Sequence, residues 1–281
     1  MKGNRVNSID DLMLSFKRIR DMGEGFITNF FLNPFVASIW IKHHLITKVS
    51  MNKTDFFQRS DHNFKHIYYC SASKNALSSD LYDFMKKNKD DLFVIDIIGS
   101  TVSTNEVADL FLSNGFNSYT SLVRMTRKPP ESSITADIDN GIMEARESDI
   151  VHVNKLLTSY FDLYSEQLPH IDELEAWRAK GNILVYKSQN ISKGFIIFED
   201  FGYSSYLRYW FVNPHYRNQK VGSKLMSSFF FRTQKSTRQL FWVNRENHNA
   251  IKRYLHYGFL PEDLVDLILI NKQIQYEKRN N

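Results

Sequence analysis

At 281 residues the chain is long enough for one large or two ordinary domains, and 42% hydrophobic with 24% charged residues exclude a disordered composition. A net charge of +5 permits an acidic ligand but, spread along the chain, gives no argument for nucleic acid. The single cysteine, Cys70, excludes a disulfide framework within one chain, and no apolar run of signal-peptide or membrane-spanning length is present, so a cytoplasmic protein without membrane partners is expected.

The predicted elements alternate between helix and strand. Residues 7 to 22 read as a helix, with Ser8 as cap, Asp10 and Asp11 in the first turn and Lys17, Arg18 and Arg20 in the last. Ser38 to Val49 and Phe64 to Cys70 have strand-like patterns. His43, His44, His62 and His66 lack the spacing and the Cys or carboxylate companions of a metal site, so no metal is expected. Ala76 to Lys87 and Glu106 to Ser113 read as helices, Leu92 to Ile98 and Ser118 to Met125 as strands. Arg127 to Asn140, with Pro129 and Pro130, reads as a linker.

The pattern then starts again. Ser148 is the expected cap of a helix, and Asp172 to Lys180 forms another. Ile183 to Tyr186 and Gly194 to Phe198 read as antiparallel strands turned by Ser188 to Asn190. Tyr206 to Val212 is apolar, aromatic and β-branched, a buried strand that Pro214 ends. Arg217, Asn218, Gln219 and Lys220 make a polar turn, and Val221, Leu225, Met226 and Phe229 recur at helical spacing. This turn fits a phosphate or pyrophosphate cradle, because free N–H groups and the helix dipole favour an anion there. It also fits an ordinary strand–loop–helix connection with a surface basic pair. Leu240 to Val243, Asn249 to His256 and Leu264 to Ile270 close the chain as strand, helix and strand. The whole reads as an α/β protein with a mixed sheet.

Two motifs carry a resemblance. Val212-Asn213-Pro214 followed by Arg217-Asn218-Gln219-Lys220-Val221-Gly222 resembles motif A of the GNAT N-acyltransferase superfamily, with Lys220 where that family usually has its first glycine. Asn247, Ala250, Ile251, Tyr254, Gly258 and Phe259 fill the positions of the same family's motif B. The first half echoes this ending: Asn114-Gly115-Phe116 parallels Tyr257-Gly258-Phe259, and Phe111 stands where Tyr254 stands. The resemblance implies a GNAT fold in residues 132–281 and a degenerate GNAT-like lobe without a phosphate turn in residues 1–131.

It also implies acyl transfer from an acyl-coenzyme A, most often acetyl-CoA, to the amine of a small molecule or peptide. By this likeness Arg217, Asn218, Gln219, Lys220, Val221, Gly222 and Ser223 hold the pyrophosphate. Trp210, Phe211 and Val212 line the pantetheine arm, Asn247 contacts the cofactor, and Tyr254 is the general acid for the thiolate. No carboxylate stands on the central strand, so the general base is not readable. Glu199, Asp200 and His215 lie near its ends, and Arg208 is expected to pair with Glu199 or Asp200 or to meet an acidic acceptor. A non-catalytic acyl-CoA-binding module and a two-lobed aminoacyl-tRNA-dependent transferase are the other readings. The latter needs no coenzyme A loop.

Overall fold

The computed structural model describes residues 3–31, 33–130, 140–188 and 191–274. Two compact units divide it, one running to Leu122 and resumed from Asp263, the other from Val123 to Glu262. The expected division at 131 and 132 fell in the linker, whose residues 131–139 lie outside the described ones. So does the turn at 189 and 190.

The first unit contains strands β1 (Asn4–Arg5), β2 (Ile27–Thr28), β3 (Ile46–Ser50), β4 (Thr54–Ser60), β5 (Lys65–Ser71) and β6 (Phe93–Gly99). Its helices are α1 (Ile9–Arg20), α2 (Pro34–Lys42), α3 (Lys74–Lys87) and α4 (Thr101–Leu112). Strand β7 (Asn117–Arg127) leads into the second unit, which holds β8 (Ile142–Glu144), α5 (Glu147–Tyr160), α6 (Ile171–Ala179), β9 (Ile183–Ser188), β10 (Ile191–Asp200) and β11 (Ser204–Val212). A 3₁₀ turn at Pro214–Tyr216, α7 (Val221–Arg232), β12 (Arg238–Asn244) and α8 (His248–His256) complete it, and β13 (Leu260–Ile270) runs back into the first unit. Leaving β2 aside, the order strand, two helices, three strands, helix, strand, helix, strand occurs twice. No helix among the described residues is long and apolar enough to cross a membrane.

Each unit takes its last strand from the other half of the sequence. In the first, the sheet order β1-β3-β4-β5-β6 ends on β13, antiparallel to β6 from Val265↔Gly99 to Ile270↔Val94. In the second, the C-terminal residues of β7 lie beside β12, and the order continues through β11, β10 and β9 to β8. Met125 of β7 is fully buried there among Phe229, Phe230 and Phe259.

Both sheets are covered on both faces. In the second unit Ile150, Leu157, Leu174 and Trp177 of α5 and α6 pack on Phe195, Ile197, Tyr209 and Phe211. On the other face Leu225, Met226 and Phe229 of α7 meet Ile196, Phe198, Leu207 and Phe241. In the first unit α3 and α4 bury Leu81, Phe84 and Phe111 on one face, while Leu12, Phe16 and Trp40 of α1 and α2 cover the other.

Three local expectations change. Ser38 to Val49 divides: Ser38 to Lys42 end the helix α2, which Asn33 caps with Pro34 in its first turn, and Ile46 to Val49 form the expected strand as part of β3. The apolar run of α2 is buried at Ala37, Ile39 and Trp40, and that tertiary burial outweighs its β-branched composition. Ser148 lies inside α5. The cap position is Arg146, whose amide donates to Asp149 Oδ2 at 2.8 Å. Strand β4, which no sequence pattern marks, is buried over six of its seven residues, so it shows no alternation to read.

Candidate active site

Strand β11 is the centre of the second unit. It pairs antiparallel with β10 along its length, but parallel with β12 only at Ser204↔Arg238, Ser205↔Gln239 and Tyr206↔Leu240. From Leu207 to Val212 its β12-facing edge has no strand partner among the described residues, which leaves backbone donors and acceptors for an extended amide-rich ligand. The pairing with β10 shifts register where Ile197↔Tyr209 is followed by Phe198↔Leu207, so Arg208 is the extra, bulged residue. The bulge flips the later side chains between faces. Tyr209 and Phe211 meet α5 and α6, while Trp210 and Val212 meet the start of α7. Arg208 is exposed and forms an ion pair with Glu199, one of its two expected partners.

The motif A turn follows. Asn218 and Lys220 have φ of 64° and 59°, both left-handed, and Lys220 is the residue that enters α7. No side chain caps this helix. Lys224 N is the first amide with an intrahelical acceptor, Lys220 O at 3.0 Å, so the N–H groups of Val221, Gly222 and Ser223 remain as an anion site. Arg217, Asn218, Gln219 and Lys220 are all exposed around it. Gly222 has a second reason to be glycine: a Cβ there would stand 3.0 Å from Trp210 Cζ2 and 3.2 Å from Val212 Cγ2. The helix start packs directly on the strand that carries the open edge.

The left-handed Lys220 explains why glycine suits this position in the family pattern. An L-residue there costs about 1–2 kcal/mol, which glycine avoids while adding some unfolded-state entropy. Lys220→Gly is therefore expected to raise stability by up to about 1 kcal/mol in denaturant titrations. If its ammonium serves a phosphate, the same change weakens acetyl-CoA binding and flattens its salt dependence in calorimetry. Equal affinity and equal salt slope would leave Lys220 as a turn residue only.

Motif B forms α8. Asn247 caps it, accepting from Ala250 N at 3.2 Å, so its side-chain oxygen is engaged and its NH₂ is the group left for a ligand. Tyr254 projects into the aromatic cluster between α8 and β11. Its ring centroid lies 4.1 Å from Phe241, 5.7 Å from Trp210 and 6.2 Å from Phe259. Burial first, and then the negative charge of Glu166, push its phenol above the ordinary value and keep it protonated. Trp210 carries a buried indole N–H with no acceptor among the described residues, an orphan donor beside the same ring. The uncapped helix, the open edge and this orphan fit a ligand with phosphates at one end and amides along its arm.

Glu166, whose charge reaches Tyr254, is a residue that the sequence did not single out. It stands on the loop between α5 and α6, in no motif and at no telling spacing.

The first unit has the same frame with both features closed. Strand β5 meets α3 through Ala72 and Ser73 only, and Ser73 Oγ caps the helix by accepting from Ala76 N at 3.2 Å. β5 and β6 are parallel only at Lys65↔Phe93 and His66↔Val94. Beyond that pairing the side chain of Asn29 bridges the two strands. Its Nδ2 donates to Ile67 O (3.2 Å) and Asp96 O (3.1 Å), and its Oδ1 accepts from Tyr69 N (2.8 Å). Strand β2 adds pairs at Ile27↔Ser71 and Thr28↔Cys70. The chain's own segment thus takes the backbone positions that stay open on β11. The helix endings, in contrast, match. Gly115 and Gly258 are both left-handed (φ 89° and 83°), and Phe116 N and Phe259 N donate to Phe111 O and Tyr254 O, each at 3.1 Å.

Comparison with known proteins bears on the domain and its fold. The family profile described as the acetyltransferase (GNAT) domain matches residues 179–261, a span holding both motifs. No curated protein matches. Among solved structures, a GCN5-related N-acetyltransferase from Sphaerobacter thermophilus superposes with TM-score 0.58 at 9% identity, covering 80% of this chain and 79% of that one. An acetyltransferase from the GNAT family of Colwellia psychrerythraea gives 0.53 at 12%, covering 96% and 99%. A tandem GNAT protein from the clavulanic acid biosynthesis pathway gives 0.53 at 10%, covering 79% and 80%. At these identities the likeness is one of fold. Residues 179–261 thus match the GNAT acetyltransferase domain profile, and the chain shares the GNAT fold with these structures, a tandem GNAT protein among them.

Proposed function

We propose that the protein transfers acetyl from acetyl-CoA to the amine of a small molecule or peptide, by direct attack while both are bound, in a cytoplasmic setting. The observation that carries this reading is the uncapped start of α7 set against the open edge of β11. The amides of Val221, Gly222 and Ser223, with Arg217 and Lys220 beside them, would take the pyrophosphate. The edge from Leu207 to Val212 would bond the pantetheine amides, as an added strand does. One N–H of that edge would also polarise the thioester carbonyl as charge develops on its oxygen. Tyr254, protonated and backed by Phe241, would give its proton to the departing thiolate.

Because Ser73 and Asn29 fill the corresponding positions of the first unit, one cofactor per chain follows. Calorimetry with acetyl-CoA and with desulfo-CoA is expected to give one site. Gly222→Glu puts a carboxylate where the phosphate would sit and a Cβ against Trp210, so binding should weaken at least tenfold. A second site would refute the degenerate first lobe. No binding at millimolar ligand would refute the enzymatic reading itself.

A further inference from the structure

The geometry points to Glu166 as the general base that takes the proton from the acceptor amine, an assignment that rests on the acyl-transfer reading above. The α5–α6 loop is tied to the central strand at this residue: Tyr209 Oη donates to the carbonyls of Glu166 (3.0 Å) and Gln167 (3.2 Å). Gln167 is left-handed, with φ 43°, so the loop is held in a costly turn at the same point. The next residue on the strand is Trp210, whose ring contacts that of Tyr254. Neighbouring residues of one strand therefore hold the loop backbone at Glu166 and the aromatic wall that supports the phenol.

The carboxylate of Glu166 makes no hydrogen bond or ion pair among the described residues, although the residue is half-buried. The charged and titratable groups facing it are few. Asp162, at the start of the loop, accepts from Tyr164 N, Ser165 N and Ser165 Oγ and lies buried. Tyr254, on α8, feels the charge of the Glu166 carboxylate. Tyr209 touches only its carbonyl. Burial, and then the charge of Asp162, raise the Glu166 carboxyl to about 7, so near neutrality it is poised to accept a proton and to release it.

The proton inventory closes. An acceptor arriving as R–NH₃⁺ gives one proton to Glu166, which returns it to solvent. The freed lone pair attacks the thioester carbon, the C–N bond forms and the C–S bond breaks. Tyr254 gives its proton to the sulfur, and the second proton lost by nitrogen restores Tyr254 through water. Amide and free thiol result, with one proton released.

The test uses the full-length protein, acetyl-CoA and two acceptors: butylamine, an ammonium at neutral pH, and hydroxylamine, already neutral there. The amine's own ionisation is common to both proteins, so the wild-type-to-Glu166→Gln rate ratio isolates the carboxylate. With butylamine this ratio is expected to rise with pH through about 7 and level near ~10²-fold. The sign follows from the role, since a protonated Glu166 cannot accept. With hydroxylamine the ratio should stay within a few-fold at every pH. Acetyl-CoA affinity should be unchanged, and Glu166→Asp should retain part of the butylamine rate. Equal losses with both acceptors, or a ratio independent of pH, would overturn the assignment while leaving acyl transfer standing. Wild-type protein that neither binds acetyl-CoA nor acylates either amine would overturn the acyl-transfer reading first, and this assignment with it.

Discussion

Tyr254→Phe is expected to lower kcat by about 10² to 10⁴-fold, the usual range for a lost general acid, with acetyl-CoA affinity nearly kept. The change removes one oxygen from a ring whose packing is otherwise complete. Phe241 at 4.1 Å, Trp210 and Phe259 hold the ring in place, and phenylalanine meets the same contacts. Stability should therefore change little. Two causes keep the hydroxyl protonated, burial and the charge of Glu166, and both act in the direction that a donor to a thiolate requires. Measuring thiol release alongside calorimetry separates the outcomes. An unchanged kcat would reduce Tyr254 to one more member of the aromatic cluster, the role Phe111 fills at the matching place in the first unit.

A fragment of residues 123–262 is expected to unfold cooperatively and bind acetyl-CoA, whereas a fragment of residues 132–281 is not. The second is the cut that the linker invites. It removes the last residues of β7 from the sheet they complete. Losing buried Met125 alone costs about 2–5 kcal/mol by the usual core-truncation scale. Arg127 is lost as well. Its guanidinium lies 4.0 Å over the Phe230 ring and its Nη1 donates to Tyr257 O at 2.8 Å. Thr126 bonds both Arg238 Nε (3.0 Å) and Gln239 O (3.3 Å). Arg124 pairs with Glu262. Against a typical domain stability of about 5–15 kcal/mol, this sum removes the folded state. The 132–281 fragment also carries residues 263–270 without β6, a bare apolar strand and an aggregation hazard. Thermal melts and gel filtration of the two fragments decide the point. A cooperative, monomeric 132–281 fragment would show that the exchanged strand is dispensable.

The sequence alone determined what depends on neighbours along the chain. Pro214 ends the strand, the polar residues after it form a turn, and Val221, Leu225, Met226 and Phe229 set one helix face. Those are local effects of ring closure, side-chain polarity and the 3.6-residue period. Gly115 and Gly258 were legible as helix stops for the same reason, since the left-handed residue closing a helix favours glycine whatever packs around it. Motif B could be read because its residues share one helix. Tertiary structure decided the rest, where the cause is a contact between residues far apart in sequence. The bulge at Arg208 exists only as a mismatch between β10 and β11, so no single strand records it. Asn29 becomes a strand bridge because β5 and β6 part above His66, and β7 and β13 change units because their pairing partners do. Glu166 is one carboxylate in a polar loop, like many others in this chain. It acquires its place only when Tyr209, on a strand some forty residues later, donates to its carbonyl and to that of Gln167.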